Sequence, residues 1–196
     1  MRLSIIIAAL DEAEDAVHAL APLQHLRARG VECILADGGS RDLTAHLALP
    51  LCEALVHAPP GLAARFNAGA DCARGDVLLF IEPPSRLPPD ADLLIAGALR
   101  LTRKPWGVFA GFNEASSFRA RARQGLSRLR GLAAPGQAVF VRRRAFEDAN
   151  GFDETDVGDA ADLSRRLRRT SRPVFIPRTG VAPSIRRLPR LIPFRA

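Results

Sequence analysis

The chain has 196 residues, of which 47% are hydrophobic and 25% are charged, and its formal net charge is +7. This length and composition predict one domain, residues 1–196, with a sizeable buried core. No apolar run approaches the roughly 18–20 residues of a membrane-spanning helix, and the start, MRLSIII, lacks the cleavage site of a secretory signal. The sequence therefore argues against a membrane-spanning or secreted protein and favours a cytoplasmic one.

The first hundred residues alternate short apolar runs with amphipathic stretches. Strands are predicted at residues 3–9, 31–36, 53–58 and 76–82, and helices at 11–30, 42–49, 61–75 and 88–101. The first helix has an acidic start and an Arg-Gly end, and the fourth has prolines in its first turn. This β-α-β-α order predicts an α/β fold, a mostly parallel sheet with helices on both faces.

The pattern changes after residue 105. Further strands are predicted at residues 106–112, 137–143 and 172–177, and further helices at 117–132, 144–152 and 159–169. The tail, residues 181–196, is rich in proline and arginine and has no clear period. No linker composition separates these parts, so the chain is predicted to continue as one domain.

Positive charge is concentrated towards the C-terminal end, where ten arginines and no acidic residue follow Asp162. Such a surface attracts the phosphates of nucleotides, nucleic acids or anionic lipids, or is simply solvated. The end of the tail, PSIRRLPRLIPFRA, is suited to peripheral contact with an anionic membrane face, although its three prolines prevent a continuous amphipathic helix. Nucleic-acid binding is not predicted, because phenylalanines are not interleaved with the basic residues.

The cysteines and histidines show no pattern typical of a metal site. Cys33, Cys52 and Cys72 are odd in number and widely spaced, without a CxxC pair. They are predicted to be small core residues of a protein in a reducing compartment.

The stretch ADGGSRD, residues 36–42, follows the second predicted strand. In doubly wound sheets, ligands bind beyond the carboxyl ends of the strands. The two glycines allow a ligand to approach the backbone, Ser40 or Asp42 can cap the next helix, and Asp37 can accept a hydrogen bond from a base or ribose. An ordinary glycine turn explains the same residues equally well. Neither GxGxxG nor GxxxxGK[ST] occurs here, which argues against nicotinamide and P-loop sites.

Five segments, taken in order, resemble the family-2 glycosyltransferases of GT-A fold, and most of all their short bacterial members. The segments are SIIIAALDEA (4–13), ADGGSRDLT (36–44), AARFNAGADCARGDVLLFI (63–81), PGQAVFVRRRAFEDANGF (135–152) and DAADLSRRLRR (159–169). The resemblance implies a Rossmann-like GT-A fold and transfer from a nucleotide-diphosphate sugar to an acceptor, with inversion by direct displacement. It also implies a nucleotide-binding half, residues 1–105, and an acceptor half, residues 106–180.

The resemblance implies roles for the matching positions. Glu12 and Asp37 are expected against the base or ribose, and Arg65 near the base and phosphates. The expected substrate-binding set is completed by Gly38, Asn67, Gln137, Arg186 and Arg187.

The chain departs from the family where the divalent cation, Mg²⁺ or Mn²⁺, is expected. Glu82 stands at the first acidic position of the metal motif, but Pro84 replaces the Asp that grips the ion. These hard cations take oxygen ligands, and a proline side chain offers none. Gly136 likewise replaces an Asp before Gln137. A metal is therefore doubtful, and Arg186 with Arg187 would be the substitutes for its charge.

A second departure concerns the general base. The family places it in an acidic pair at the start of the last helix, where this chain has Asp159 and Ala160, with alanine at the base position. Asp159 and Asp162 are the remaining candidates for the catalytic base. However, a shift of one residue turns a helical side chain by about 100°.

Three functions remain in competition. The first is sugar transfer with weak or altered activity, and the second is a non-catalytic relative that binds a partner or an anionic surface. The third, a nucleotidyltransferase, is disfavoured because AALDEAED is acidic where those enzymes carry a basic, glycine-rich loop.

Overall fold

The computed structural model describes residues 1–83, 85–110, 133, 137–155 and 160–177. Its strands are β1 (Leu3–Ala9), β2 (Glu32–Asp37), β3 (Ala54–His57), β4 (Val77–Ile81), β5 (Trp106–Ala110), β6 (Val139–Arg142) and β7 (Val174–Pro177). Its α-helices are α1 (Ala13–Leu20), α2 (Gln24–Arg27), α3 (Thr44–Ala48), α4 (Leu62–Cys72), α5 (Ala91–Thr102), α6 (Arg143–Asp148) and α7 (Ala160–Thr170). The predicted helix at 117–132 and the tail at 181–196 lie outside the described residues.

The strands form one sheet in the order β3-β2-β1-β4-β6-β5-β7. β3, β2, β1 and β4 are parallel, β6 runs antiparallel to both β4 and β5, and β7 is parallel to β5. The prediction of a mostly parallel sheet is confirmed. The parallel half places the ends of β1, β2 and β4 at one edge, which is the edge where open α/β sheets bind ligands.

The core has two parts because both faces of the sheet are covered. On β1, Ile5 and Ile7 pack with α1, α2 and α5, whereas Ile6 and Ala8 pack with α4, α6 and α7. Successive strand side chains point to opposite faces, so a strand buried on both faces must be apolar throughout. This explains why LSIIIAA is fully buried and why the prediction of that strand is correct.

The helix predicted over residues 11–30 is interrupted. α1 ends at Leu20, a 3₁₀ turn covers Ala21–Leu23, and α2 follows. Pro22 explains the break, since proline has no N–H to donate and its ring clashes with the carbonyl four residues earlier.

Arg143, at the start of α6, fastens the end of α4 to the sheet. Its guanidinium donates hydrogen bonds to the carbonyl oxygens of Ala70 (3.2 Å), Ala73 (2.6 Å) and Gly75 (3.0 Å). Carbonyls at a helix C-terminus carry partial negative charge and favour a cation. The contact keeps α4, and with it Arg65, in a fixed position relative to the sheet.

The cysteine prediction is correct for two residues and wrong for the third. Cys33 and Cys52 are buried, and burial raises the pKa of the Cys33 thiol to about 12, so that this thiol stays protonated. Cys72 is exposed, because the last residue of amphipathic α4 faces solvent. No helix in the described part of the chain is both long and apolar enough to span a bilayer.

Candidate functional site

The ends of β1 and β2 meet at the carboxyl edge of the sheet. Ala9 lies opposite Asp37 in the parallel register, and the Gly38 N–H donates to the Ala9 carbonyl at 3.0 Å. On the other side of β1, Ile7 lies opposite Ile81, the last residue of β4. Asp37 is the last residue of β2, and Glu12, Gly38 and Glu82 follow β1, β2 and β4, so the fold brings four predicted site residues to one edge.

Asp37 organises the glycine turn after β2. Its side chain is almost completely buried, and its carboxylate accepts hydrogen bonds from the Gly39 N–H (3.2 Å), the Ser40 N–H (3.2 Å) and the Ser40 hydroxyl. Gly39 has a φ of +90°, which favours glycine. Asp37 therefore fixes the turn at which the backbone is expected to approach a ligand.

The loop after β1 is bound to the loop after β2 by several hydrogen bonds. The Asp11 N–H donates to the Ser40 hydroxyl (2.9 Å), and the Arg41 N–H donates to the Asp11 carboxylate (2.7 Å). The Glu12 N–H donates to the Thr44 hydroxyl at 2.9 Å. The two loops thus form one connected wall. Within it, residues of ADGGSRDLT are the hydrogen-bond partners of Asp11 and Glu12.

Arg65, in the first turn of α4, lies against this wall. A Cβ atom added to Gly38 would sit 3.1 Å from the Arg65 Cδ and 3.4 Å from the Leu10 Cδ1, so glycine permits the close approach. The Arg65 Nε–H donates to the Gly61 carbonyl at 3.2 Å, which orients the side chain. The site therefore combines a glycine turn, an arginine and a helix N-terminus, a combination that suits an anion.

Glu12 lies in the same electrostatic neighbourhood. Burial raises the pKa of the Glu12 carboxyl, against the opposing influence of the Leu10 N–H and of the Arg65 charge. The interaction with Arg65 shows that the residues after β1 and the start of α4 face a common region.

Glu82 and Gln137 lie at the β4 side of the same edge. β4 and β6 are antiparallel with Phe80 opposite Val139, so continuing this register places Glu82 opposite Gln137. Gln137 is 5% exposed, and Glu82 is partly exposed. Gln137 therefore belongs to the interior of this edge rather than to its surface.

The described residues at this edge do not form a donor set that fits a divalent cation. Glu82 is followed by two prolines, whose side chains carry no oxygen. Within the described ranges, no three His, Cys, Asp or Glu side chains are grouped so that they could hold a metal ion. Pro84 and Gly136, which replace expected carboxylates, lie outside those ranges.

Asn67 faces another part of the molecule. Its amide donates to the Phe152 carbonyl (3.0 Å) and the Glu154 carboxylate (2.7 Å), and its carbonyl accepts from the Phe152 N–H (2.9 Å). A Cβ on Gly151 would lie 2.8 Å from the Asn67 Oδ1. The structure places Asn67 as the link between α4 and the loop after α6, not beside Arg65.

We expect Asn67→Ala to lower the free energy of unfolding by about 2–4 kcal/mol, because three hydrogen bonds are lost and the Phe152 backbone loses its partners. Urea denaturation measures this effect. The control is Glu154→Ala, which removes one exposed hydrogen bond and is expected to cost less than about 1 kcal/mol. Unchanged stability of Asn67→Ala together with lost nucleotide binding would instead place Asn67 in the substrate site.

Asp162, in the first turn of α7, is held by arginines of its own helix. Its carboxylate accepts a hydrogen bond from the Arg166 Nε–H at 3.0 Å, and it also lies 2.8 Å from the Arg166 Nη2 and 3.4 Å from the Arg165 Nη2 as ion pairs. Arg166 also donates to the Ala149 carbonyl at the end of α6. Arg166 thus links α7 to the end of α6, and Asp162 holds Arg166 in place. The other candidate base, Asp159, and the pair Arg186 and Arg187 lie outside the described residues.

Sequence reasoning missed His57. It ends β3, next to β2, and its Nδ1 lies 3.5 Å from the Asp37 carboxylate, while 74% of its side chain is exposed. The absence of metal spacing gave no reason to select it. The signal that could have identified His57 is its position at the end of the third parallel strand, where ligand-binding residues are expected.

Residues 4–153 match the family described as Glycosyl transferase family 2, and the chain belongs to this family. Its fold agrees with that assignment. No curated protein that was compared with the chain matches it.

Solved structures of glycosyltransferases share the fold. TarS 1-349 of S. aureus is 13% identical, with a TM-score of 0.70, and the match covers 90% of this chain and 58% of that one. Mannosyltransferase PcManGT from Pyrobaculum calidifontis, in complex with GDP-Man and Mn²⁺, is 17% identical, with a TM-score of 0.69 and coverages of 89% and 54%. Glucosyl-3-phosphoglycerate synthase from Mycobacterium tuberculosis, in complex with Mn²⁺, UDP and phosphoglyceric acid, is 20% identical, with a TM-score of 0.64 and coverages of 89% and 67%. The chain spans little more than half the length of the first two.

Proposed function

We propose that this protein binds a nucleotide-diphosphate sugar at the carboxyl ends of β1 and β2 and transfers the sugar to an acceptor. The observation that carries the proposal is the close approach of the Arg65 side chain to Gly38, where an added Cβ atom would lie 3.1 Å from the Arg65 Cδ, beside the turn fixed by Asp37. Structural relatives that bind UDP-GlcNAc or GDP-Man support the choice of ligand.

In this proposal the base and ribose lie towards Asp37 and Glu12, and the diphosphate lies towards Arg65 and the start of α4. A guanidinium has five N–H donors, and the Arg65 Nε–H already bonds to Gly61. The other donors of Arg65 are suited to the phosphate oxygens, which arginine binds well in pairs.

No step of this proposal passes through a divalent cation, because the described donor set around Glu82 does not fit one. Positive charge for the leaving diphosphate must then come from arginine side chains. Arg65 is the described candidate, and Arg186 with Arg187 are the candidates named from the sequence.

A second candidate function is nucleotide-sugar binding without turnover. The replacements Pro84, Gly136 and Ala160 favour it, since each removes a carboxylate that the family uses. Release of free sugar or its transfer, measured with UDP- and GDP-sugars, separates the two functions.

We expect Arg65→Ala to weaken UDP binding about tenfold, because a charge-assisted hydrogen bond to a phosphate is lost. Isothermal titration calorimetry measures the affinity. Arg74→Ala is the matched control, since it removes the same charge from an exposed residue beyond the other end of α4. Equal losses in the two variants, or no binding of any nucleotide by the parent protein, would count against the proposal.

A further inference from the structure

A cavity lies at the opposite edge of the sheet from the proposed nucleotide site. Its volume is about 480 Å³, and it lies between α6, α7 and the strand ends beside them. Arg142, at the end of antiparallel β6, lies opposite Val77, the first residue of β4, and α7 ends at Thr170 just before β7. The cavity is therefore on the amino edge of the parallel strands, away from the proposed nucleotide site.

Four arginines from three elements line this cavity: Arg142, Arg144, Arg166 and Arg169. Asp148 is the only carboxylate among its described lining residues, and its contact with Arg144 is a 4.0 Å pair between two well-exposed side chains. Such pairs contribute little, so Arg144 remains available to a ligand. The cavity consequently carries an excess of positive charge.

One of the four arginines is held in place. The Arg166 guanidinium binds the Asp162 carboxylate and the Ala149 carbonyl, and its side chain is 24% exposed. Arg142, Arg144 and Arg169 are exposed and can move to meet a ligand. The cavity thus combines one guanidinium held by hydrogen bonds with three exposed ones.

The remaining lining defines the size and kind of ligand. A volume of this size lies within the range of about 300–1,000 Å³ for small-molecule sites. Apolar groups such as Leu167 form part of the lining, and Asp148 with Asn150 offers acceptors for hydroxyl groups. Guanidinium groups bind phosphate in pairs, so the best match is a phosphate attached to a larger body.

We propose that this cavity binds a phosphomonoester, with its phosphate held by Arg144, Arg166 and Arg169. The proposal goes beyond the nucleotide-sugar function and does not depend on it, since the two sites lie at opposite edges of the sheet. The phosphomonoester can be a free sugar phosphate or a lipid headgroup, because the phosphate is the same chemical group in both.

The test compares glucose 6-phosphate, glucose and vesicles containing phosphatidic acid as probes of the full chain at constant ionic strength. In calorimetry, Arg144→Ala combined with Arg169→Ala is expected to weaken binding of glucose 6-phosphate at least about tenfold. If only vesicle binding occurs, measured by co-sedimentation against phosphatidylcholine vesicles, its loss in the same variant identifies a headgroup as the source.

The matched control is Arg168→Ala combined with Arg172→Ala. It removes the same charge from exposed residues that do not line the cavity. We expect less than about a twofold change in this control and in Arg65→Ala. Equal weakening in the control, a similar loss in Arg65→Ala, or no binding of either phosphate by the parent protein overturns the proposal. Circular dichroism confirms that each variant is folded.

Discussion

Asp37→Ala is expected to lower the affinity for UDP about a hundredfold, the larger of the two losses predicted for the nucleotide site. The carboxylate is an expected acceptor for the base or ribose, and it also fixes the turn that brings Gly38 against Arg65. Removing it leaves the N–H groups of Gly39 and Ser40 without their partner. Calorimetry with UDP, at a temperature where the variant is folded, measures the loss.

The control for this variant is Asp71→Ala, which removes one negative charge from an exposed position on α4. It is expected to leave UDP affinity within about twofold of the parent value, because exposed charges at a distance are screened. If Asp37→Ala bound UDP as the parent does, the nucleotide would have to lie elsewhere.

The second large effect concerns the metal. Pro84→Asp returns a carboxylate two residues after Glu82, where family members carry the ligand for the cation. We expect UDP binding by this variant to strengthen at least about tenfold on addition of Mn²⁺, because the hard cation gains an oxygen ligand and joins the diphosphate to the protein. Titrations with and without Mn²⁺ measure the effect.

The sequence predicted those parts of the fold that depend on local patterns. LSIIIAA and VLLFI are apolar throughout because β1 and β4 are buried on both faces, and DGGS marks the turn after β2. Pro22 is also a local signal, and it contradicts the prediction of one long helix over residues 11–30. The antiparallel insertion of β6 between β4 and β5 was not predictable, since strand order depends on contacts between distant segments.

The candidate site could be predicted only where residues that are adjacent in the sequence also lie together in the structure. Asp37, Gly38 and Ser40 lie in one motif, and the structure confirms that they form one turn. The resemblance implies a substrate-binding role for Asn67, whereas its hydrogen bonds go to Phe152 and Glu154, more than eighty residues later. The spacing of neighbouring residues in the sequence cannot reveal a partner so far along the chain.

The candidate site differs from the family pattern at three positions where carboxylates are expected. The fold agrees with the family. The resemblance implies that Pro84, Gly136 and Ala160 each replace an acid that serves cation binding or proton transfer. Nucleotide binding and metal dependence are therefore expected to be separable in this protein, although they are coupled where the cation joins the diphosphate to the protein.

The most direct test of this separation is a UDP titration of the parent protein in EDTA and again in excess Mn²⁺. We predict binding in both, with affinities that differ by less than about threefold, since no described acidic cluster is available to the ion. A tenfold or greater increase in UDP affinity on adding Mn²⁺, which corresponds to about 1.4 kcal/mol, would contradict a nucleotide site without a metal centre. If UDP bound neither in EDTA nor in excess Mn²⁺, the proposed nucleotide site itself would be contradicted.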